Sequence, residues 1–379
     1  MANGDTSRLD RTRGADAAGE SVSVLMYPDS TASNPYQSNL RDALRERGVD
    51  VEVHGGHKLS PLVGLVREHG RPDVIHIHWL GKRVVTDSSV LTAVLGIRLL
   101  VELLVVRAMG VRVVWTVHNL LGHESPSPRL ELWAKRLTAD RVDGLVVHCE
   151  AARERVVESF RVSEGDGPAI ATVPHGHYLD NYPDTTSTEA ARSSLGIDPE
   201  DDVFLFFGSI RKYKRVPHLV ETFRSLDAPD THLLVAGRPW NDAIERRVAE
   251  EVKATPNATA VLEYVPDEDV QRYFQAADAV VLPFDDQMTS GSAVLAMSFG
   301  CPVVAPRLGC VGELLEAQSC LGYDPDRTDG LRRAMEEALE VDTAEVGERD
   351  RQLVAKRDWD GVAAATCDLY RTVLGPAGR

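Results

Sequence analysis

Two stretches hold most of the chemistry legible in this 379-residue chain. In VFLFFGSIRKYKR, Gly208 is followed by four cations, Arg211, Lys212, Lys214 and Arg215. Glycine lets a ligand approach the backbone, arginine offers a planar fork and lysine a point charge, which together can hold a diphosphate. A solvated basic turn opening a helix is the plainer reading of the same letters. In ADAVVLPFDDQMTSGSAVLAMSFG, Thr289, Ser290, Gly291 and Ser292 precede a helix that Gly300 should end. Unpaired N–H groups and the helix dipole at such a start attract an anion, although a serine N-cap alone would look the same. The two loops together predict one diphosphate gripped from two sides.

Histidines cluster after the strand candidates of the first half: His76 and His78 in DVIHIHWL, His118 and His123 in WTVHNLLGHE, His175 and His177 in VPHGHY. Zinc needs converging ligands, and these spacings come from different strand ends without cysteine support. Strand-end histidines more often orient a hydroxylated ligand or act as a general base. His118, after RVVWTV, is the first choice, while His78 also reads as a satisfied core histidine. Glu124 reads as a general base or as the cap of the next segment. The loop YPDSTASNPYQ places Asp29, Asn34 and Tyr36 ahead of a helix, where a turn and cap explain most of it and contact with a second substrate is the sharper reading. Asp285 with Asp286, and Asp324 with Asp326, lack a histidine or third carboxylate, so no metal site is expected. No Walker loop occurs, and no GxGxxG follows the first strand, which disfavours kinase, ATPase and dehydrogenase chemistry.

These loops must be positioned by elements whose rhythm is clear. Short apolar runs bounded by Gly, Pro and Asp alternate with helical patterns, the signature of βαβ units. Strands are predicted at 23–27, 49–53, 74–78, 111–117, 144–148 and 170–173, then at 203–207, 232–236, 259–262, 279–283 and 302–305, with a weaker one near Cys320. The fold class is α/β, with two doubly wound domains, 21–190 and 191–357, facing a central cleft. A polar stretch, 182–200, reads as the linker. A helix in 358–379 is expected to cross back, and residues 1–20 read as a disordered tail. Open parallel sheets bind ligands outside the carboxyl ends of their strands, which is where both loops fall.

Composition excludes some classes. Fifty-eight acidic against 42 basic residues give a net charge of −16, so nucleic acid is not an expected partner. Five scattered cysteines without a CxxC pair argue against a disulfide framework and for a reducing, cytoplasmic setting. Residues 90–109 are apolar enough to invite a membrane reading but carry Arg98, Glu102 and Arg107, and each mid-span charge costs about 2.5–3.5 kcal/mol on insertion scales. A mostly buried amphipathic helix is expected. Docking on the inner leaflet beside Lys82 and Arg83 is the alternative.

In order and spacing, FFGSIRKYKR, LLVAGRP, VPDEDVQRYFQAADAVVLPF and SGSAVLAMSFGCPVVAPRLGCVGELL resemble the GT-B glycosyltransferases, in particular family 4 and its polysaccharide-building relatives. HIHWL and WTVHNLLGHE are similar to the same group, so the likeness spans most of the chain. It implies two Rossmann-like domains, a nucleotide-sugar donor on the C-terminal one, a glycan or lipid-linked acceptor on the N-terminal one, and no cofactor or metal. By this likeness Lys214 is the diphosphate lysine, Gly208 the strand-end glycine, His118 the histidine near the transferred sugar, and His175 part of the turn closing the first domain. Glu313 falls on the acidic residue of the donor site, and Arg238, Tyr264 and Val265 lie where base and sugar contacts are made. Three positions depart. Ser209 replaces an arginine whose charge Arg211 would supply, and Gln287 and Leu295 stand where two glutamates are usual. Retention of anomeric configuration is therefore open, and an inverting relative needs a base, for which His118, Glu124 and Asp29 qualify. The expected activity is sugar transfer to a hydroxyl in polysaccharide, glycolipid or glycoprotein glycan assembly; a nucleotide-sugar epimerase and a non-catalytic binding module are the alternatives.

Overall fold

Apolar runs without a polar face suit a parallel sheet covered by helices on both sides, and both halves of the chain build one. The computed structural model describes residues 21–375 except 33, 58, 59, 123, 164, 166, 319 and 320. The N-terminal tail, His123, Cys320 and the side chains of Lys82 and Arg83 lie outside the described residues. In the first lobe, β1 (Ser23–Tyr27), β2 (Asp50–Val53), β3 (Val74–Ile77), β4 (Arg112–Thr116), β5 (Gly144–Val147) and β6 (Ala169–Thr172) form a sheet of order β2-β1-β3-β4-β5-β6. In the second, β7 (Asp202–Phe207), β8 (Thr231–Ala236), β9 (Ala258–Val261), β10 (Ala279–Val281), β11 (Val303–Pro306) and β12 (Gly322–Tyr323) run β12-β11-β10-β7-β8-β9. The pairings are parallel throughout, with His76 of β3 in register between Met26 of β1 and Val114 of β4. The two halves together are an α/β GT-B architecture.

The polar stretch 182–200 is more than a linker. It contains the helix Thr188–Leu195, whose buried Arg192 bonds the carbonyls of Ala276, Pro199 and Asp201 and the Asp278 carboxylate, fastening the stretch to the second lobe. The last helix, Trp359–Leu374, packs on the first lobe. Its Tyr370 hydroxyl meets His76 Nδ1 at 2.7 Å, and the Trp359 indole donates to the His177 carbonyl at 2.7 Å. A Cβ on Gly176 would lie 2.6 Å from that indole, so only glycine admits so close an approach.

Two expectations are corrected. Cys149 and Cys310 form a disulfide between the lobes, with 5.4 Å between their Cα atoms; 161 residues separate them in sequence, which gave no spacing signal. The long apolar helix, Ser89–Ala108, is not mostly buried. Leu99, Glu102, Leu103 and Val106 face inward, whereas Val90, Leu91, Val94, Ile97, Val101, Leu104 and Val105 are exposed. Arg98 and Glu102 pair with each other, and Glu102 accepts the Leu62 and Val63 N–H groups. The charges thus serve the inner face and leave the outer one apolar. By length and composition alone, this helix is apolar enough to cross a membrane.

A buried carboxyl sets one stability expectation. Asp350, on the helix Thr343–Ala355, is fully buried and neither carboxylate oxygen has a described partner. Burial raises its pKa to about 7, so the folded chain binds this proton more tightly than the unfolded chain, in which it leaves near pH 4. Stability should therefore fall as pH rises from about 4 to 7 and level off above. Asp350→Asn should remove that fall, giving a melting temperature above wild type at pH 8 and near it at pH 5. Parallel pH profiles for the two proteins would exclude the assignment.

Candidate active site

The places where strand order reverses face each other across the lobes. β7 lies between β8 and β10, so the loops after β7 and β10 part at its carboxyl end; the loops after β1 and β3 do the same in the first sheet. Such gaps receive ligands in open parallel sheets. A cavity of about 980 Å³ lies between these loops. Of the residues singled out from sequence, Asp29, Asn34, His78, His118, Glu124, His175, Gly208, Arg211, Lys214, Thr289, Ser290, Gly291 and Ser292 line it.

On the second-lobe wall three features converge. Gly208 leaves β7 with φ +117°, and a Cβ there would lie 3.3 Å from Ser292 Oγ and 3.4 Å from Lys214 Nζ. Ser290 caps the helix Gly291–Ser298 by accepting the Ala293 N–H at 3.1 Å, so the N–H groups of Gly291 and Ser292 at its mouth have no intrahelical acceptor. Lys214 is 7% exposed, pairs with no described carboxylate, and sits near the Phe206 and Phe284 rings. Lost hydration, with the nearby Arg211 charge, lowers its pKa to about 8. A buried ammonium without a counter-ion beside a helix N-terminus is a site prepared for an anion.

The other loop cations divide their work. Arg211 lies 3.8 Å over the Trp240 ring and 3.9 Å from Glu124 of the first lobe, while Glu124 also accepts the Lys212 N–H at 3.1 Å. The carboxylate that read as a base or a cap is thus an interlobe contact to the basic loop. Arg215 pairs with Asp285 and Arg155 with Asp286, both at 3.0 Å, so ion pairs occupy one of the two carboxylate pairs considered for a metal; in the other, Asp324 Oδ1 accepts the Asp326 N–H at 2.9 Å.

The first-lobe wall is built on imidazoles whose tautomers follow from one bond. His148 Nδ1 donates to the Val173 carbonyl at 2.9 Å, so its Nε2 is bare and accepts from His118 Nδ1 at 3.4 Å. His118 Nε2 is then bare and accepts from His78 Nδ1, also at 3.4 Å. The chain ends on His78 Nε2, which has no described partner. Burial holds all three rings neutral, His148 at about 4 and the other two well below the usual value. Both nitrogens of His118 are thus used within the lobe, and its ring stacks on Trp79 at 4.3 Å. His76 is a core residue, bonded to Tyr370 and Thr116. His175 donates from Nδ1 to the Gly176 carbonyl, and its Nε2 lies 3.8 Å from where a Cβ on Gly291 would stand, beside the second-lobe turn. Asp29 is exposed to the cavity; its Oδ1 accepts the Thr31 N–H and Oγ1–H at 3.0 and 2.7 Å, and no described residue bonds Oδ2.

Other expected residues stand elsewhere. Tyr36 is buried among the His118, His148, His175 and Trp359 rings and serves packing. Asn34 caps the helix Pro35–Glu46 and accepts the Tyr178 hydroxyl proton at 3.4 Å. Ser209, Arg238 and Tyr264 are exposed and Val265 is buried, all outside the cavity lining. Glu313 accepts the Ala151 N–H across the lobes. Leu295 lines the cavity, and Gln287 donates from Nε2 to the Thr289 carbonyl. Sequence reasoning missed His148, Trp240 and the buried pair Glu131–Lys135. Glu131 holds the Gly122 N–H at 2.8 Å and Lys135 holds the Asn119 carbonyl at 3.2 Å, shaping the loop after β4; their i, i+4 spacing was the available signal. Three side chains able to ligate a metal, Glu52, His54 and His69, also meet, but none of them lines the cavity.

Residues 11–176 match the family model described as glycosyl transferase 4-like domain, and residues 201–341 match that described as glycosyl transferases group 1. GDP-mannose:glycolipid 4-beta-D-mannosyltransferase of Xanthomonas campestris pv. campestris is 27% identical over 303 residues, covering 79% of this chain and 78% of the relative. D-inositol 3-phosphate glycosyltransferase of Corynebacterium urealyticum is 27% identical over 350 residues, covering 84% and 77%. Among solved structures, sucrose-phosphate synthase from Thermosynechococcus elongatus superposes with a TM-score of 0.73 at 18% identity, covering 93% of this chain and 99% of that one. Anabaena HepE with UDP and glucose superposes with a TM-score of 0.70 at 14% identity, covering 92% and 99%.

Proposed function

The chain belongs to the family 4-like GT-B glycosyltransferases, which use a nucleotide-sugar donor, and from that membership we propose that it transfers a sugar from a nucleoside-diphosphate donor to a hydroxyl of a lipid-linked glycan, with inversion and without a metal in the transfer step. The observation that carries this reading is Lys214, buried at the mouth of the helix Gly291–Ser298 with no carboxylate partner among the described residues. Charge builds on the departing diphosphate in the transition state, and preorganised cations and N–H groups there lower the barrier. Lys214, Arg211 and the Gly291 and Ser292 amides supply that compensation, so the reaction does not require a divalent ion for it.

Inversion is supported from two sides. The Xanthomonas relative's name records a β-linked product from GDP-mannose, and Gln287 and Leu295 replace the two carboxylates usual in retaining members of the group. A direct displacement then needs a base on the acceptor side. Asp29 fits: its carboxylate is open to the cavity, whereas Glu124 faces Arg211 and both His118 nitrogens are bonded. Asp29 takes the acceptor hydroxyl proton, the oxygen bonds to the anomeric carbon, and the bond from that carbon to the diphosphate oxygen breaks.

The lipid-linked acceptor rests on the exposed face of Ser89–Ala108. Val85, Thr86 and Asp87 line the cavity directly ahead of that helix, so its apolar surface begins at the rim of the site. Lying on the cytoplasmic leaflet, the face would present a lipid-anchored glycan to the cleft. Vesicles carrying a lipid-linked oligosaccharide, incubated with a panel of GDP-, UDP- and ADP-sugars, should gain one β-linked sugar in the lipid fraction. Val94→Ser with Leu104→Ser should lower vesicle co-sedimentation while leaving donor binding intact. Donor breakdown without a glycosylated lipid, or an epimerised donor, would replace the proposal with a different reaction.

A further inference from the structure

The bridge between Cys149 and Cys310 joins the lobes where they pack on each other. Each lobe has a hydrophobic core of its own, and Met288 and Cys310 of the second lobe also pack into that of the first, so a covalent tie at this seam bears on the lobes' relative position. Cys149 caps the helix Glu150–Phe160 of the first lobe, and Cys310 stands in the first turn of the helix Gly309–Gln318 of the second. The surrounding contacts also cross the lobes: Ala151 N–H to Glu313, and Arg155 to Asp286 and to the Gln287 carbonyl. The bridge also adjoins the donor turn. The Cys310 N–H donates to the Met288 carbonyl at 2.9 Å, and Thr289 Oγ1 lies 3.9 Å from Cys310 Sγ.

We propose that Cys149 and Cys310 form a reversible redox clasp that, when oxidised, holds the lobes closed at this edge and slows nucleotide exchange. The effect on nucleotide rests on the donor-site reading above; the clasp itself does not. Domains that close on a ligand must part to release product, and a bond between the lobes beside the donor turn limits that parting. Two molecules of a low-molecular-weight thiol open the clasp. The thiolate of the first attacks one sulfur and breaks the S–S bond, and the second resolves the mixed disulfide. One small disulfide leaves, and two electrons and two protons remain on the protein as two thiols. The reverse reaction uses a small disulfide as oxidant. The 5.4 Å Cα separation falls in the range a disulfide spans, so this arrangement of the lobes accommodates the closed bond.

The full chain, oxidised with diamide or reduced with dithiothreitol, should be alkylated, digested without reductant and mapped by mass spectrometry. The expected result is a linked peptide pair containing Cys149 and Cys310 in the oxidised sample and two alkylated thiols in the reduced one. Small-angle scattering should show the oxidised form more compact, and a fluorescent GDP analogue should leave it about tenfold more slowly, within ordinary coupling strengths. Cys149→Ser keeps a good helix cap and should abolish both redox effects, as should Cys310→Ala. Absence of the linked peptide after oxidation overturns the clasp, as do identical scattering and GDP release in the two states. Should neither form bind the GDP analogue or its UDP and ADP counterparts, the donor reading fails, and scattering and mapping still decide the clasp.

Discussion

Replacing Lys214 with methionine is expected to lower turnover by about 10²–10³-fold, the cost typical of removing one preorganised electrostatic donor from a transition state. The protein should remain folded. Methionine matches the lysine stem in length, and the change removes an unpaired buried ammonium, so the donor-free variant should melt no lower than wild type. The pH profile supplies an independent check. In the donor-free protein the ammonium pKa is near 8, and a diphosphate favours the charged form. Donor affinity should therefore be full below pH 8 and decline above it, by roughly a hundredfold at pH 10 if the neutral amine does not bind. Lys214→Arg keeps its charge across this range and should flatten the alkaline limb even if its different shape lowers the rate. Wild-type turnover in the methionine variant, or a donor affinity constant from pH 7 to 10, would remove Lys214 from the mechanism.

The elements that position this lysine were legible because buried parallel strands are written as unbroken apolar runs. Both loops of the proposed diphosphate site follow such runs, and the predicted Ser23–Tyr27 strand coincides with β1. What remained hidden depended on contacts between distant segments. Glu124 is ambiguous in sequence because its partners, Arg211 and the Lys212 amide, come from the other lobe. The tautomer of His118 is fixed only through His148 and, beyond it, the Val173 carbonyl, a relation no local spacing encodes. The cysteine pair is of the same kind, and an odd total of five concealed it. The long helix misled for another reason. Its charges looked like interruptions of an apolar surface, yet Arg98 and Glu102 satisfy each other and the start of the helix Pro61–His69, so the outer face stays apolar.

The same geometry separates Asp29 from its competitors. Asp29→Asn preserves size and can keep accepting the Thr31 bonds through its amide oxygen, so the loop after β1 should retain its shape. It cannot take a proton from an acceptor hydroxyl. The expected outcome is a fall in turnover of about 10³-fold, within the usual range for a general base, with donor affinity by calorimetry unchanged. Glu124→Gln should behave differently. It removes a carboxylate from beside Arg211, a like-for-like competitor of the diphosphate, so donor affinity should hold or improve while turnover changes little. His118 supplies the third comparison: with both nitrogens bonded inside the lobe, its substitution should disturb the wall and melting temperature together. Loss of turnover in Glu124→Gln with near-normal rates in Asp29→Asn would move the base to the interlobe carboxylate. Normal rates in both would argue against a carboxylate base in the cleft, and with it against inversion by direct displacement.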